Sequence, residues 1–378
     1  MRFFLNKKIL ILSPQSWGRM QISKHHYALE FARLGNEVLF MNPPELSRTV
    51  NGLRELEGIQ ILSHSRPYYY DLKFHFPWLY YQLMSRRIKD ILSKTGFVPD
   101  VVFSFDLGGD YSLSFFENTL KIFFPVDEPR SKLALRSGIQ SDLIFSVTNE
   151  ILAAYNHLPA KKIFLNHGLS SDFAHQIASN VQLSNSEIKV GYSGNLLRSD
   201  IDKTTIETII RENRSITFEF WGNMNSKENE LGFGEEIDSG VDFIQFLSYS
   251  PNVILHGPVS SSVLAEGLRR MDLFLICYDI SKDQSSGTNY HKIMEYLSTG
   301  KIIVSNNVST YMGSSLFRMC ESRQNNNELP IIFKECVDDI EKWNAPELQA
   351  QRKQFADEHL YSRQVEKIDA HVHRFINL

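Results

Sequence analysis

The sequence predicts an α/β protein of two doubly wound domains, and three observations lead there. Apolar, β-rich runs alternate with segments of helical period almost from end to end. The series restarts after a polar, pattern-poor stretch, QIASNVQLSNSE, at 176–187. The chain's 378 residues also exceed the ~250–300 at which a single core stops growing.

The opening, KILILS at Lys8–Ser13, is a near-continuous apolar run, as a strand buried on both faces requires. The preceding residues imitate a signal peptide, but no small-residue cleavage site follows and the run has only strand length. A polar loop leads into a helix over about Lys24–Leu34, stopped by Gly35. Glu37–Asn42 makes the next strand, and this βαβ opening implies a parallel sheet. Further strands are expected at Val101–Phe105, Lys121–Val126, Leu143–Val147 and Lys162–Asn166, filling a first Rossmann-like domain over 1–175. A second such domain over 186–352 carries Ile188–Tyr192, Thr217–Trp221, Asn252–His256, Leu273–Cys277 and Ile302–Ser305. Residues 225–250 are Glu-, Ser- and Gly-rich and read as an exposed excursion. One amphipathic helix, about Arg352–Asn377, closes the chain. Two such domains facing each other leave a cleft at the carboxyl ends of their strands, where ligands bind in these sheets.

Composition excludes several classes. Hydrophobic content of 42% and charge of 22% are ordinary for a folded chain. No apolar run approaches the ~20 residues that span a bilayer. Cys277, Cys320 and Cys336 have no metal-ligand spacing and an odd count, which suits a reducing cytoplasm. The net charge of −4 hides an asymmetry: residues 1–170 hold 20 Lys and Arg against 15 Asp and Glu, the remainder 20 against 29. The basic half either faces an anionic acceptor or membrane surface or is simply solvated, while the acidic total argues against nucleic acid.

The most informative segment is 287–305, GTNYHKIMEYLSTGKIIVS. On a helix, Tyr290, Ile293, Met294 and Leu297 share one arc, read as core. Lys292, Glu295, Tyr296 and Thr299 share another, bringing an ammonium and a carboxylate together near the helix start. A helix N-terminus favours phosphate, Lys292 adds a charge, and Glu295 can accept from ribose hydroxyls. The alternative is an ordinary surface Lys–Glu pair worth a few tenths of a kcal/mol.

HKIMEYLSTGKIIVS resembles the donor-site signature of bacterial GT-B glycosyltransferases of the group 1, GT4-like kind, with glucuronosyltransferase relatives. SDLIFSVTNEILAAYNHLPAKKIFLNHGL, KVGYSGNLLRSDIDKTTIETI and NVILHGPVSSSVLAEGLRRMDLFLICYD are similar to further segments of that family in the same order. The resemblance implies a metal-independent enzyme without a cofactor that takes its sugar from a nucleotide-diphosphate donor. It implies that Glu295 holds the ribose, that Lys292 meets the diphosphate, and that Gly194 and Asn195 let backbone approach the phosphates. Arg198 and Lys203 either add phosphate contacts or are solvated; His256 and Gly257 either line the nucleoside site or are structural. It also implies that the last helix, from about 355 to 378 and matching at FADEHLYSRQVEKI, returns to the first, acceptor-binding domain. Retaining members carry a second Glu eight residues before the first, where this chain has Gly287, so the expected stereochemistry is inverting.

Inverting transfer needs a base for the acceptor hydroxyl. Asp127, after the strand Lys121–Val126 and beside Phe123 and Phe124, is the first candidate and Asp106, after Val101–Phe105, the second; either can instead cap a following helix. Gly18 and Arg19, in the first βα loop, are candidates for the acceptor side of the cleft. Pro67–Lys89 interleaves aromatics with Lys73, Arg86, Arg87 and Lys89. It reads as a membrane-facing patch for a lipid-linked acceptor, as rings that stack on sugars, or as packing beneath a loop.

The expectation is thus a cytoplasmic glycosyltransferase of surface polysaccharide or glycolipid assembly, either free or peripheral to the inner face of the membrane, whose partners are a nucleotide sugar and a saccharide or lipid-linked acceptor. A non-catalytic nucleotide-sugar-binding or scaffold protein and a sugar-nucleotide epimerase remain alternatives on the same fold.

Overall fold

The structure, a computed structural model, describes residues 3–18, 21–46, 52–178, 187–224, 238–282 and 285–376. The chain divides into two compact units, 1–166 with 361–378, and 167–360.

The first unit carries β1 (Lys8–Leu12), α1 (Ser23–Arg33), β2 (Glu37–Met41), β3 (Gly52–Leu56), β4 (Ile59–Ser63), α2 (Leu72–His75), α3 (Pro77–Thr95), β5 (Val101–Ser104), β6 (Leu120–Phe123), α4 (Lys132–Arg136), β7 (Leu143–Ser146), α5 (Asn149–Ala154) and β8 (Lys161–Phe164). Its strands form one sheet in the order β3-β4-β2-β1-β5-β6-β7-β8, parallel except for the β3–β4 hairpin. That hairpin is absent from the periodicity reading, because every residue of β3 is exposed and no apolar face marks it. Its turn is legible in hindsight: Glu57 and Gly58 both take positive φ (53° and 77°), as a tight two-residue hairpin loop demands. The strand order reverses between β1 and β5, so the ends of those two strands mark this sheet's switch point.

The second unit carries α6 (Ala174–Ala178), β9 (Lys189–Ser193), α7 (Lys203–Glu212), β10 (Thr217–Trp221), α8 (Asp238–Tyr249), β11 (Val253–Gly257), α9 (Ser261–Leu268), β12 (Leu273–Ile276), α10 (Lys292–Ser298), β13 (Ile302–Ser305), β14 (Arg318–Met319), α11 (Leu329–Asp338), α12 (Ile340–Trp343) and α13 (Pro346–Asp357). Its sheet is wholly parallel, ordered β11-β10-β9-β12-β13-β14, with the reversal between β9 and β12. Each unit has its own buried core, and the strands at each sheet centre are apolar on both faces, as sandwiching by helices requires.

The closing α14 (Tyr361–Ile376) belongs to the first unit. Val365, Ile368 and Val372 are buried in that unit's core, the helix packs on α1, and Asp369 accepts a 2.8 Å hydrogen bond from the Phe4 amide.

Several boundaries differ from expectation. The single closing helix is two, α13 and α14, interrupted at Glu358–Leu360, where Leu360 bridges to Leu169. Phe355, inside the single amphipathic helix expected over about Arg352–Asn377, packs against Tyr311 and His359 in the second unit. Residues 167–175 group with the second unit rather than the first, because Leu169 and Phe173 are buried in its core. The polar stretch at 176–187 lies mostly outside the described residues. Within the supposed excursion at 225–250, residues 238–249 form α8, and 225–237 lie outside the description.

Candidate functional site

The clearest constellation lies inside the second unit, at its topological switch point. β9 and β12 pair only through Leu273–Val190 and Phe274–Gly191. Tyr192 lies near the end of β9 and Tyr278 follows β12, and the Lys292 ammonium lies over both rings.

Three glycines end three adjacent strands. Gly194, Gly222 and Gly257 follow or close β9, β10 and β11 with φ of 138°, 136° and 74°. Their backbones interlock: the Gly194 amide donates to the Trp221 carbonyl and the Gly222 amide to the Gly257 carbonyl, both at 2.9 Å. A Cβ on Gly222 would lie 1.8 Å from the Gly194 carbonyl oxygen, and one on Gly194 would lie 2.8 Å from Lys292 Nζ. The strand ends are therefore bare backbone by steric necessity, which is what close approach of a ligand requires. Asn195 follows in this turn, its Oδ1 accepting from the Leu197 amide at 3.1 Å.

Lys292 opens α10, and its ammonium is the chemical centre. Nζ lies 4.3 Å from the centre of the Tyr192 ring and 5.2 Å from that of Tyr278. It is enclosed and has no hydrogen-bond partner among the described residues. The alternative reading, a Lys292–Glu295 surface pair, does not form: Glu295 Oε1 instead lies 3.4 Å from His291 Nδ1. Glu295 is mostly covered, its side chain 15% exposed.

The two-arc reading of this helix needs correction. Tyr296, expected on the arc of Lys292 and Glu295 rather than on the core arc, is fully buried and stacked on Phe274 with ring centres 4.2 Å apart. Its hydroxyl accepts from the Ser193 amide at 2.7 Å, which ties α10 to the end of β9. Thr299 is buried as well, and Tyr290 precedes the helix altogether. The helix has seven residues, too short for its dipole to carry the site, so the ammonium and the glycine backbone carry it.

Around this centre, Arg198 forks onto Asp200, with Nε to Oδ1 at 2.8 Å, and lies 5.4 Å from the Tyr278 ring. That ion pair raises its pKa, so Arg198 stays charged. Lys203 begins α7, whose cap is Asp202. Burial and the nearby Lys282 lower the Lys203 pKa, while Asp242 opposes them. His256 is held by Glu219, with Nε2 to Oε2 at 2.7 Å, and stacks on Trp221 with ring centres 4.6 Å apart. Its side chain therefore has structural partners, while Gly257 remains part of the backbone cradle. Gly287, eight residues before Glu295, precedes the buried Thr288, which exchanges hydrogen bonds with Ser309 at 2.8 and 2.9 Å.

The base candidates lie in the first unit and differ sharply. Asp127 is exposed just after β6, and its charge opposes the loss of the proton from the buried Lys24; burial pulls that ammonium down to about 8. The expected burial of Asp127 beside Phe123 and Phe124 is not found, since both rings turn into the core. Asp106 is the buried one, 2% exposed, and burial with the neighbouring Asp110 pushes its carboxyl up to about 7. Its Oδ2 accepts from the Asp110 and Tyr111 amides at 2.7 and 3.0 Å, which braces the loop rather than capping a helix, while Oδ1 has no partner among the described residues. Gly18 is exposed in the first βα loop, which Trp17 pins by donating its amide to Asn42 Oδ1 at 2.9 Å; Arg19 lies outside the described residues.

Sequence reasoning missed Gly222, Tyr192 and Tyr278. Gly222 follows the strand Thr217–Trp221 in the position Gly194 takes after its own strand, and that parallel was the available signal.

Among the described residues, no three His, Cys, Asp or Glu side chains converge as metal ligands, and no helix is long and apolar enough to cross a membrane. No family model and no curated protein matches the sequence. Solved structures do match. Sucrose-phosphate synthase from Thermosynechococcus elongatus gives a TM-score of 0.71 at 11% identity, over 98% of this chain and 99% of that one. Anabaena HepE in complex with UDP and glucose gives 0.64 at 13%, over 97% and 99%. An α,α-trehalose-phosphate synthase (UDP-forming) from Burkholderia vietnamiensis gives 0.68 at 8%, over 98% and 97%. With two Rossmann-like parallel-sheet units and these likenesses over its whole length, the chain has the GT-B glycosyltransferase fold.

Proposed function

We propose that the chain is a metal-independent, inverting glycosyltransferase that moves a sugar from a nucleoside diphosphate to an acceptor hydroxyl. Its acceptor would be a saccharide or lipid-linked saccharide in surface polysaccharide or glycolipid assembly on the cytoplasmic side of a membrane. One observation carries the reading: the Lys292 ammonium is enclosed at the β9–β12 switch point with two ring faces, bare glycine backbone and no hydrogen-bond partner among the described residues. A buried charge without a counter-ion is costly, and an arriving diphosphate removes that cost while gaining a charge-assisted bond. The matched structure that holds UDP and glucose supports the same ligand class.

In the transfer, the acceptor oxygen forms a bond to the anomeric carbon as the bond from that carbon to the diphosphate oxygen breaks. The acceptor proton passes to Asp127, and the electron pair leaves with the diphosphate, whose charge Lys292 meets. Glu295 accepts hydrogen bonds from the ribose hydroxyls. Asp127 is preferred to Asp106 because it is open to an acceptor, whereas Asp106 is enclosed and engaged by two amides. Inversion is preferred because Gly287 stands where retaining members of the resembled family carry their second Glu.

Titration calorimetry with UDP, on the wild type and on Glu295→Ala, tests the site; undiminished affinity in the variant would remove Glu295 from it. Transfer from UDP-sugars to an acceptor mixture tests the reaction. Asp127→Asn is expected to lower turnover ~10²–10⁴-fold while sparing UDP affinity. Normal turnover in Asp127→Asn with loss in Asp106→Asn makes Asp106 the base. Tight donor binding with no turnover under any acceptor leaves a nucleotide-sugar-binding scaffold instead.

A further inference from the structure

The aromatic segment after β4 sorts its side chains into two sets. Tyr80, Met84, Ile88 and Leu92 form the buried stripe of α3, as packing requires. Tyr68, Phe74, Phe76 and Trp78 point outward and are 98%, 59%, 55% and 69% exposed. Leu46, 80% exposed, joins the same corner, because the Glu45 amide donates to His64 O and the Arg66 amide to Glu45 O.

These rings stand on a rigid base. Lys73 Nζ donates to Asp110 Oδ1 at 2.6 Å and to the Tyr70 hydroxyl at 3.0 Å, and Tyr70 itself donates to the same Asp110 oxygen. The Tyr80 and Tyr81 hydroxyls donate to the carbonyls of Asp110 and Gly109, both at 3.1 Å. A buried ion pair with three tyrosines thus holds α2 and the start of α3 in place, so the outward rings are displayed in a fixed arrangement. Fixed groups lose little freedom on binding. Basic side chains flank the corner: Arg86 is exposed on the outer face of α3, where Lys89 pairs with Glu117 at 3.4 Å, and Lys132 and Arg136 are exposed on α4. The two helices adjoin, since Gly109, which accepts from Tyr81, lies against Leu133 of α4.

The geometry points to this corner, Leu46, Tyr68, Phe74, Phe76 and Trp78 with its basic flank, as a surface that seats in the headgroup layer of an anionic bilayer. Trp and Tyr are the side chains that favour that layer, with an apolar body and a polar edge. Stable peripheral attachment takes two signals, apolar insertion and basic attraction, and both are present here. Protein interface cores, by contrast, are depleted in lysine. The claim concerns a surface of the first unit alone and stands whether or not the transfer reading holds.

Co-sedimentation of the full chain with vesicles of phosphatidylcholine containing about one-third phosphatidylglycerol tests it. The wild type is expected to partition onto these vesicles, less so as salt rises, with a blue shift in tryptophan emission. Changing Tyr68, Phe74, Phe76 and Trp78 together to Ser should weaken partitioning at least ~10-fold, and Trp78→Phe should keep partitioning but lose the shift. Thermal melts monitor folding, and if the quadruple variant melts early, Trp78→Ser alone should still weaken partitioning about threefold or more. Absence of wild-type partitioning, or equal partitioning of the Ser variants, overturns the claim. So does wild-type self-association that the Ser variants abolish, which assigns the corner to a second copy of the chain.

Discussion

Lys73 in the first unit and Lys292 in the second are both drawn out of water, and they end in opposite company. Burial alone pulls the Lys73 ammonium down, but Asp110 and Tyr70 outweigh it and its pKa is raised. Its side chain is 4% exposed and its charge is fully met within the fold. Among the described residues, Lys292 has only the faces of Tyr192 and Tyr278 and the space above Gly194. A satisfied buried cation is a structural part, whereas one left with ring faces and bare backbone is poised for an anion from outside. The difference lies in what surrounds each lysine.

That comparison can be broken by experiment. Lys73→Ala leaves the Asp110 carboxylate buried and unpaired, so urea unfolding should show a loss of ~3–5 kcal/mol. Lys292→Ala should do the opposite, leaving stability unchanged or raised, since it removes a charge without a counter-ion, while weakening UDP binding by ~1.5–3 kcal/mol in calorimetry. If Lys292→Ala unfolds as Lys73→Ala does and binds UDP normally, the distinction between the two lysines is wrong. Gly222→Ala sharpens the site's steric basis: its Cβ would collide with the Gly194 carbonyl at a φ unsuited to side chains, costing ~1–3 kcal/mol. Both the melting temperature and UDP affinity should fall.

A smaller effect concerns pH. Asp106 keeps its proton in the folded chain between its ordinary 3.8 and about 7. In that window the folded state binds more protons than the unfolded one. The stability from this group is therefore fully present at the acid end and lost as pH climbs toward 7. Denaturant unfolding across that window should show Asp106→Asn with a shallower decline than the wild type. Equal slopes would show that the Asp106 carboxyl titrates near its ordinary value.

Much of this was readable from the chain. The runs KILILS, EVLFMN and TFEFW state their strands because apolarity on both faces of a strand is a local property of composition. The segment around Lys292 and Glu295 drew attention for the same reason, since helical spacing puts them one turn apart. What the spacing did not say was which arc would be covered. Spacing sets Tyr296 on the arc of Lys292 and Glu295, yet it lies under Phe274, and Asp127 lies in water rather than among the rings of Phe123 and Phe124 while Asp106 is enclosed.

The sequence by itself determined two α/β units, nearly every central strand, and the lysine, carboxylate and Gly194 of the donor candidate. Only the tertiary structure decided that Gly222 must be glycine, since its neighbour across the strand ends is the carbonyl of a residue 28 positions earlier. It also decided that the outward rings near Trp78 stay outward, and that Lys292 meets no carboxylate among the described residues while Lys73 meets Asp110. Periodicity reports what one element presents to its surroundings, but burial and charge compensation depend on which distant element arrives there. That arrival is set by strand order and register, which no local window contains.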